Sequence, residues 1–128
     1  MPEGRDEADS SARAKAAARA ASEKQGDRTV VLDVRDLIVI TDYFVITSAS
    51  SDRQVRTIAD AIEKALGETG AKAIRREGEN EGRWVLLDYV DIVVHVFGAE
   101  DRDFYDLERL WRDAPRLDWE TSGAASSR

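Results

Sequence analysis

With 128 residues, a net charge of −7, no cysteine and one histidine, the chain is sized for one domain and is stripped of disulfides, thiolate nucleophiles, cysteine-based metal centres and a full histidine ligand set. An acidic chain is repelled on average by phosphate backbones, which disfavours direct DNA or RNA binding and makes a basic protein surface the better electrostatic partner. No apolar run approaches the roughly 18 residues of a membrane span, and the acidic start lacks the basic-then-apolar order of a secretory signal, so a cytoplasmic protein without membrane contact is expected.

Residues 1–27 carry no large aliphatic or aromatic side chain after the initiator. Alanine gives Ala12 to Lys24 good helix propensity, but an isolated helix of that length is marginal in water without a packing face, so a flexible, transiently helical segment is expected. The core begins at Val30. Val30 to Val34 reads as a β-branched strand, Leu37 to Ile40 either extends it or forms a loop cover, and Tyr43 to Thr47 is a second strand. Ser51 with Gln54 three residues on fits a capping box, and Val55, Ile58, Ala59, Ile62 and Leu66 fall on one helical face. Gly67 or Gly70 can end this helix, after which Ala71 to Arg76 is a weak strand.

Trp84 to Asp88 and Asp91 to Phe97 read as a hairpin. Its tip offers Tyr89 and Val90 where a two-residue turn wants Gly or Asn at positive φ, so a wider turn is expected. A last helix is expected from Asp101 to Asp113, carrying Phe104, Leu107, Leu110 and Trp111 inward and stopping before Pro115. The fold class is therefore α/β, a single mixed β-sheet of about five strands with helices packed on it. The domain is assigned to residues 28–114, and residues 115–128, despite Leu117 and Trp119, are expected to form a flexible tail.

Strand alternation places Asp91, Val93, His95 and Phe97 on one face, with Trp84, Leu86 and Asp88 extending it on the neighbouring strand. Three readings of this face stand. Two carboxylates and an imidazole are a general acid and base, or ligands for magnesium. Alternatively, His95 is a half-buried strand residue bonded to Asp91 or to backbone, with the acids flanking a turn. Third, a sheet face left open by the helices presents Trp84, His95 and Phe97 with an acidic rim as a contact surface. Gly78 and Gly82 read as a plain turn without a phosphate-loop continuation, and Ser48, Ser50 and Ser51 as capping residues. Arg102, Arg109 and Arg112 among acids read as a solvated helix face, with Tyr105 and Arg109 an alternative edge of a partner surface.

One string is distinctive: Asp42-Tyr-Phe-Val-Ile-Thr-Ser-Ala-Ser-Ser51, Gln54-Val55, Ile58-Ala-Asp60, Glu77-Gly78, Trp84, Asp88, Asp91-Ile-Val-Val-His-Val-Phe97 and Tyr105-Asp-Leu-Glu-Arg-Leu-Trp111. From about Thr29 to Trp111 it resembles the Iojap family of ribosomal silencing factors. The resemblance implies a nucleotidyltransferase-like topology without the active site, no enzymatic activity, no cofactor, and a homodimer when free. It also implies binding to the large ribosomal subunit through ribosomal protein L-fourteen, blocking the small subunit and lowering translation under nutrient limitation. Its alternatives are a large-subunit assembly factor and a magnesium-dependent nucleotidyltransferase-like enzyme using Asp88 and Asp91. Carried over residue by residue, the partner-binding positions are Trp84, Asp88, Asp91 and His95, with Tyr105 and Arg109 on the last helix. Val90 stands where the family commonly has Gly, so the turn tip is expected to differ.

Overall fold

The β-branched runs pair into one five-stranded mixed sheet of order β1-β2-β5-β4-β3 in a computed structural model that describes residues 7–78 and 83–120. The elements are α1 (Glu7–Glu23), β1 (Asp27–Asp33), β2 (Tyr43–Ala49), α2 (Asp52–Gly67), β3 (Arg75–Glu77), β4 (Trp84–Asp88), β5 (Ile92–Gly98), α3 (Ala99–Tyr105) and α4 (Leu107–Leu110). Antiparallel pairing joins β1 to β2, β3 to β4 and β4 to β5, while β2 and β5 run parallel. A parallel neighbour cannot be reached by a tight turn, and the stretch holding α2 supplies the crossover. The Ser51 hydroxyl caps α2 by accepting from the Gln54 backbone N–H at 3.1 Å, and Val55, Ile58, Ala59, Ile62 and Leu66 are its buried face, as the spacing predicts.

The alanine-rich lead-in departs from expectation. Instead of a transient helix it forms α1, with Ala14, Ala17, Ala18, Ala20 and Ala21 buried in the same core as α2 and the sheet residues Val31, Val45, Leu87 and Val94. The packing face consists of methyl groups, which let the helix axis come close; weighing side-chain size alone misses such a face. Two polar ties reinforce it: Ser10 Oγ donates to Asp42 at 2.9 Å, and Arg13 pairs with Asp91. A Cβ at Gly26 would collide with Thr47, so the chain leaving α1 needs glycine to pass β2.

The expected tail is partly structured too. Asp33 N–H donates to the Pro115 carbonyl at 2.7 Å, Leu117 N–H to Val31 at 2.8 Å and Trp119 Nε1 to Thr29 at 3.1 Å. Residues 115–119 thus cover the outer edge of β1, where an uncovered strand would invite pairing with another chain. The remainder of that expectation, residues 121–128, lies outside the described residues.

The β4–β5 turn is tighter than its residues suggest. Tyr89 N–H donates to Ile92 O and Asp91 N–H to Tyr89 O, both at 2.9 Å, closing a three-residue turn around Val90 at φ 74°. A β-branched residue is strained there. Val90→Gly is expected to raise stability by about 1 kcal/mol, because relief of positive-φ strain exceeds the entropy glycine adds to the unfolded chain. Calorimetric melting would show it as a higher Tm; a lower Tm contradicts the strain.

Candidate docking surface

The two sheet faces are treated differently. Helices α1 and α2 seal one. On the other, Leu32, Phe44, Ile46 and Phe97 are covered by residues near the end of the chain, including Leu107, Trp111 and Ala114, while Trp84 and Val93 are only partly buried. Beside this half-covered face stand exposed large side chains: Phe104 is 80 % exposed, Leu110 69 % and Tyr105 46 %. Together with Asp106, Arg109 and Arg112 they line a shallow depression. The loop between β1 and β2 adds exposed Val39 and Ile40.

Trp84 organises the centre of the face. The register sets it opposite Phe97, and Leu86 opposite His95. Its ring lies 4.7 Å from Phe97, 4.6 Å from Tyr105 and 6.0 Å from His95, centroid to centroid. Its Nε1–H donates to His95 Nδ1 at 3.2 Å. An accepting Nδ1 places the proton of neutral imidazole on Nε2, which has no hydrogen-bond partner among the described residues. The ring is further enclosed by the Phe44 edge at 5.0 Å. Burial pushes the His95 pKa down to about 4, so the imidazole is neutral at pH 7. Trp84→Phe keeps the ring contacts but removes the donor, and urea denaturation is expected to show a loss of about 1–2 kcal/mol. An unchanged midpoint would mean the bond contributes nothing.

The six positions expected to bind a partner divide. Trp84, His95 and Tyr105 come together, and Arg109 stands exposed at their rim. Asp88 is held away from His95, with its carboxylate accepting from Arg75 at 2.8 Å and from Val90 N–H at 2.9 Å. Asp91 corrects the alternation argument. It precedes β5, and the Val90 turn directs its carboxylate to Arg13 on α1, away from His95. Burial holds the Asp91 carboxyl above the ordinary carboxylate range, with Arg13 acting in the opposite sense. The expected face shared by Asp91 and His95 does not form, and Asp88 and Asp91 do not converge as an acid pair.

The last helix is corrected as well. Asp106, at φ 49°, breaks it into α3 and α4. Leu107 and Trp111 pack inward as expected, but the break turns Phe104 and Leu110 out to solvent. Arg102, expected on a solvated face, is 2 % exposed. No sequence signal marks it, because Glu100, Asp101 and Asp103 around it are what a solvated helix also shows. Gly78, read as a plain turn, matters more than that: it sits at φ 88°, and a Cβ there would land on the Trp84 carbonyl.

These features define a class, an α/β domain with one sealed sheet face and one half-covered aromatic face. Residues 7–128 match the family model described as ribosomal silencing factor during starvation, and the chain belongs to that family. It is 42 % identical over 104 residues to the ribosomal silencing factor RsfS of Bacillus subtilis, covering 81 % of this chain and 88 % of that protein. It is also similar to a crystal structure of a Chromobacterium violaceum protein, with a TM-score of 0.78, 30 % identity and coverage of 90 % and 95 %. A mouse protein named mitochondrial assembly of ribosomal large subunit protein 1 is 30 % identical over 90 residues, covering 62 % of this chain and 40 % of that one.

Proposed function

We propose that this protein represses translation by docking on the large ribosomal subunit through ribosomal protein L-fourteen, on the face where the subunits meet, so that the small subunit cannot join under nutrient limitation. Family membership over residues 7–128 is the observation that carries this reading. The half-covered face agrees with it. A stable interface needs an apolar centre with a polar rim, and Trp84, Tyr105, Phe104 and Leu110 supply the centre, with Arg109, Arg112 and neighbouring acids as the rim. A net charge of −7 suits a basic ribosomal protein and speeds encounter with it. In this reading Trp84 and Tyr105 are apolar anchors, His95 supports Trp84 from beneath, and the free protein is a homodimer.

Calorimetric titration of purified L-fourteen protein is expected to give saturable binding that weakens with salt. Binding to large subunits but not to isolated L-fourteen protein would move the dock to another ribosomal component. A large-subunit assembly factor is the second reading, favoured by the name of the mouse relative. It predicts immature large subunits in cells lacking the protein, whereas repression of joining predicts normal subunits and excess translation in starvation.

A further inference from the structure

We propose that Arg102 is the positioning residue of the docking surface, a buried guanidinium that locks α3 and α4 to the start of β1 and so fixes where Phe104, Tyr105 and Leu110 stand. The lock itself rests on geometry; its use in docking rests on the function proposed above. The Arg102 side chain is 1 % exposed. Its Nη1 donates to the Asp27 carbonyl at 2.9 Å and to Ser48 Oγ at 3.0 Å, its Nη2 to the Arg28 carbonyl at 2.6 Å, and its Nε to Glu108 at 3.1 Å. The sheet provides for this. Pairing of β1 with β2 shifts register between Asp27 and Val30, and Arg28 sits at φ 49°, so carbonyls at the interruption are available to the guanidinium.

Apart from Arg102 the segment is held by partly buried side chains and exposed ion pairs: Trp111 meets Phe44, Tyr105 leans on Trp84, and Asp103 and Asp101 pair with Arg28 and Arg83 at 3.3 and 3.9 Å. Helix α3 has seven residues and α4 has four, lengths with no independent helical stability. Arg102 is the buried residue of α3, and α4 has none. Leu107 and Trp111 are only partly buried. The Arg102–Glu108 bond also spans the left-handed break at Asp106, and Glu108 in turn meets Arg116 at 3.6 Å. One guanidinium therefore joins β1, β2, α3 and α4. Lysine cannot replace it, because a single ammonium cannot reach acceptors spread around a planar fork.

Hydrogen exchange on the full chain, read beside binding to isolated large subunits, tests this with Arg102→Lys and, as a variant that leaves the sheet-side bonds intact, Glu108→Ala. Amides in residues 99–111 are expected to lose protection about ten-fold or more while those of α2 and β5 keep theirs. Affinity for the large subunit is expected to fall about ten-fold, mainly through faster dissociation. Unchanged protection in 99–111, or loss spread evenly through α2 and β5, overturns the lock. A loosened segment that still binds with wild-type affinity overturns the positioning role. Failure of the wild-type chain to bind overturns the docking reading instead, and the exchange pattern decides the lock separately.

Discussion

Serine at both Phe104 and Tyr105 is expected to weaken binding to isolated large subunits about 100-fold, or roughly 2.7 kcal/mol, while the protein stays folded. Phe104 is 80 % exposed and contributes almost nothing to the core, and Tyr105 leans on Trp84 from outside. Removing both rings should therefore cost the fold only about 1 kcal/mol, the worth of an aromatic contact. The same change in a core aromatic such as Phe97 would confound binding with unfolding. Binding by surface plasmon resonance, with melting temperature measured in parallel, separates the two. Wild-type affinity in the double variant would place the dock on another face, with the exposed Val39 and Ile40 loop the next surface to test.

Acid is expected to destabilise the protein through His95. Its folded pKa of about 4 lies below the ordinary value near 6.5. As pH falls below 6.5 the unfolded chain takes up the proton and the folded chain does not. The stabilisation is complete above pH 6.5 and is lost between pH 6.5 and 4, a total of roughly 3 kcal/mol. Asp91 works the other way. Its carboxyl is raised by burial, so its ionisation opposes folding and acid relieves that cost. Urea midpoints across this range should therefore be compared between the wild type and His95→Phe. The variant is expected to lose most of the pH dependence; an equal slope in both would show that His95 does not titrate with unfolding.

The strands and α2 were legible because their signals are local. The β-branched runs, the Ser51 cap and the apolar face of α2 each lie within one element. Residues 115–119, which bond to β1, and three further features escaped because they depend on distant partners. The alanine face of α1 becomes a packing face only where α2 and the sheet approach it. Arg102 is buried only because a register shift in β1 offers it carbonyls about 75 residues earlier. Asp91 leaves the His95 face because Val90 takes a conformation that a β-branched residue seldom adopts, which flips the alternation at the turn. The site was half legible for the same reason. Trp84 and His95 follow from period-two alternation, and Tyr105 joins them through the helix end. The exposure of Phe104 and Leu110 required the break at Asp106, a residue whose sequence context is ordinary helix surface.

Subunit joining decides whether the protein represses translation by steric exclusion. Purified small and large subunits would be mixed at a magnesium concentration that drives association, with and without saturating protein, and resolved by sedimentation. Steric blocking predicts separate subunit peaks with the protein travelling on the large one, and recovery of joined ribosomes when the Phe104 and Tyr105 double variant is used. Undiminished formation of joined ribosomes at saturating wild-type protein contradicts it.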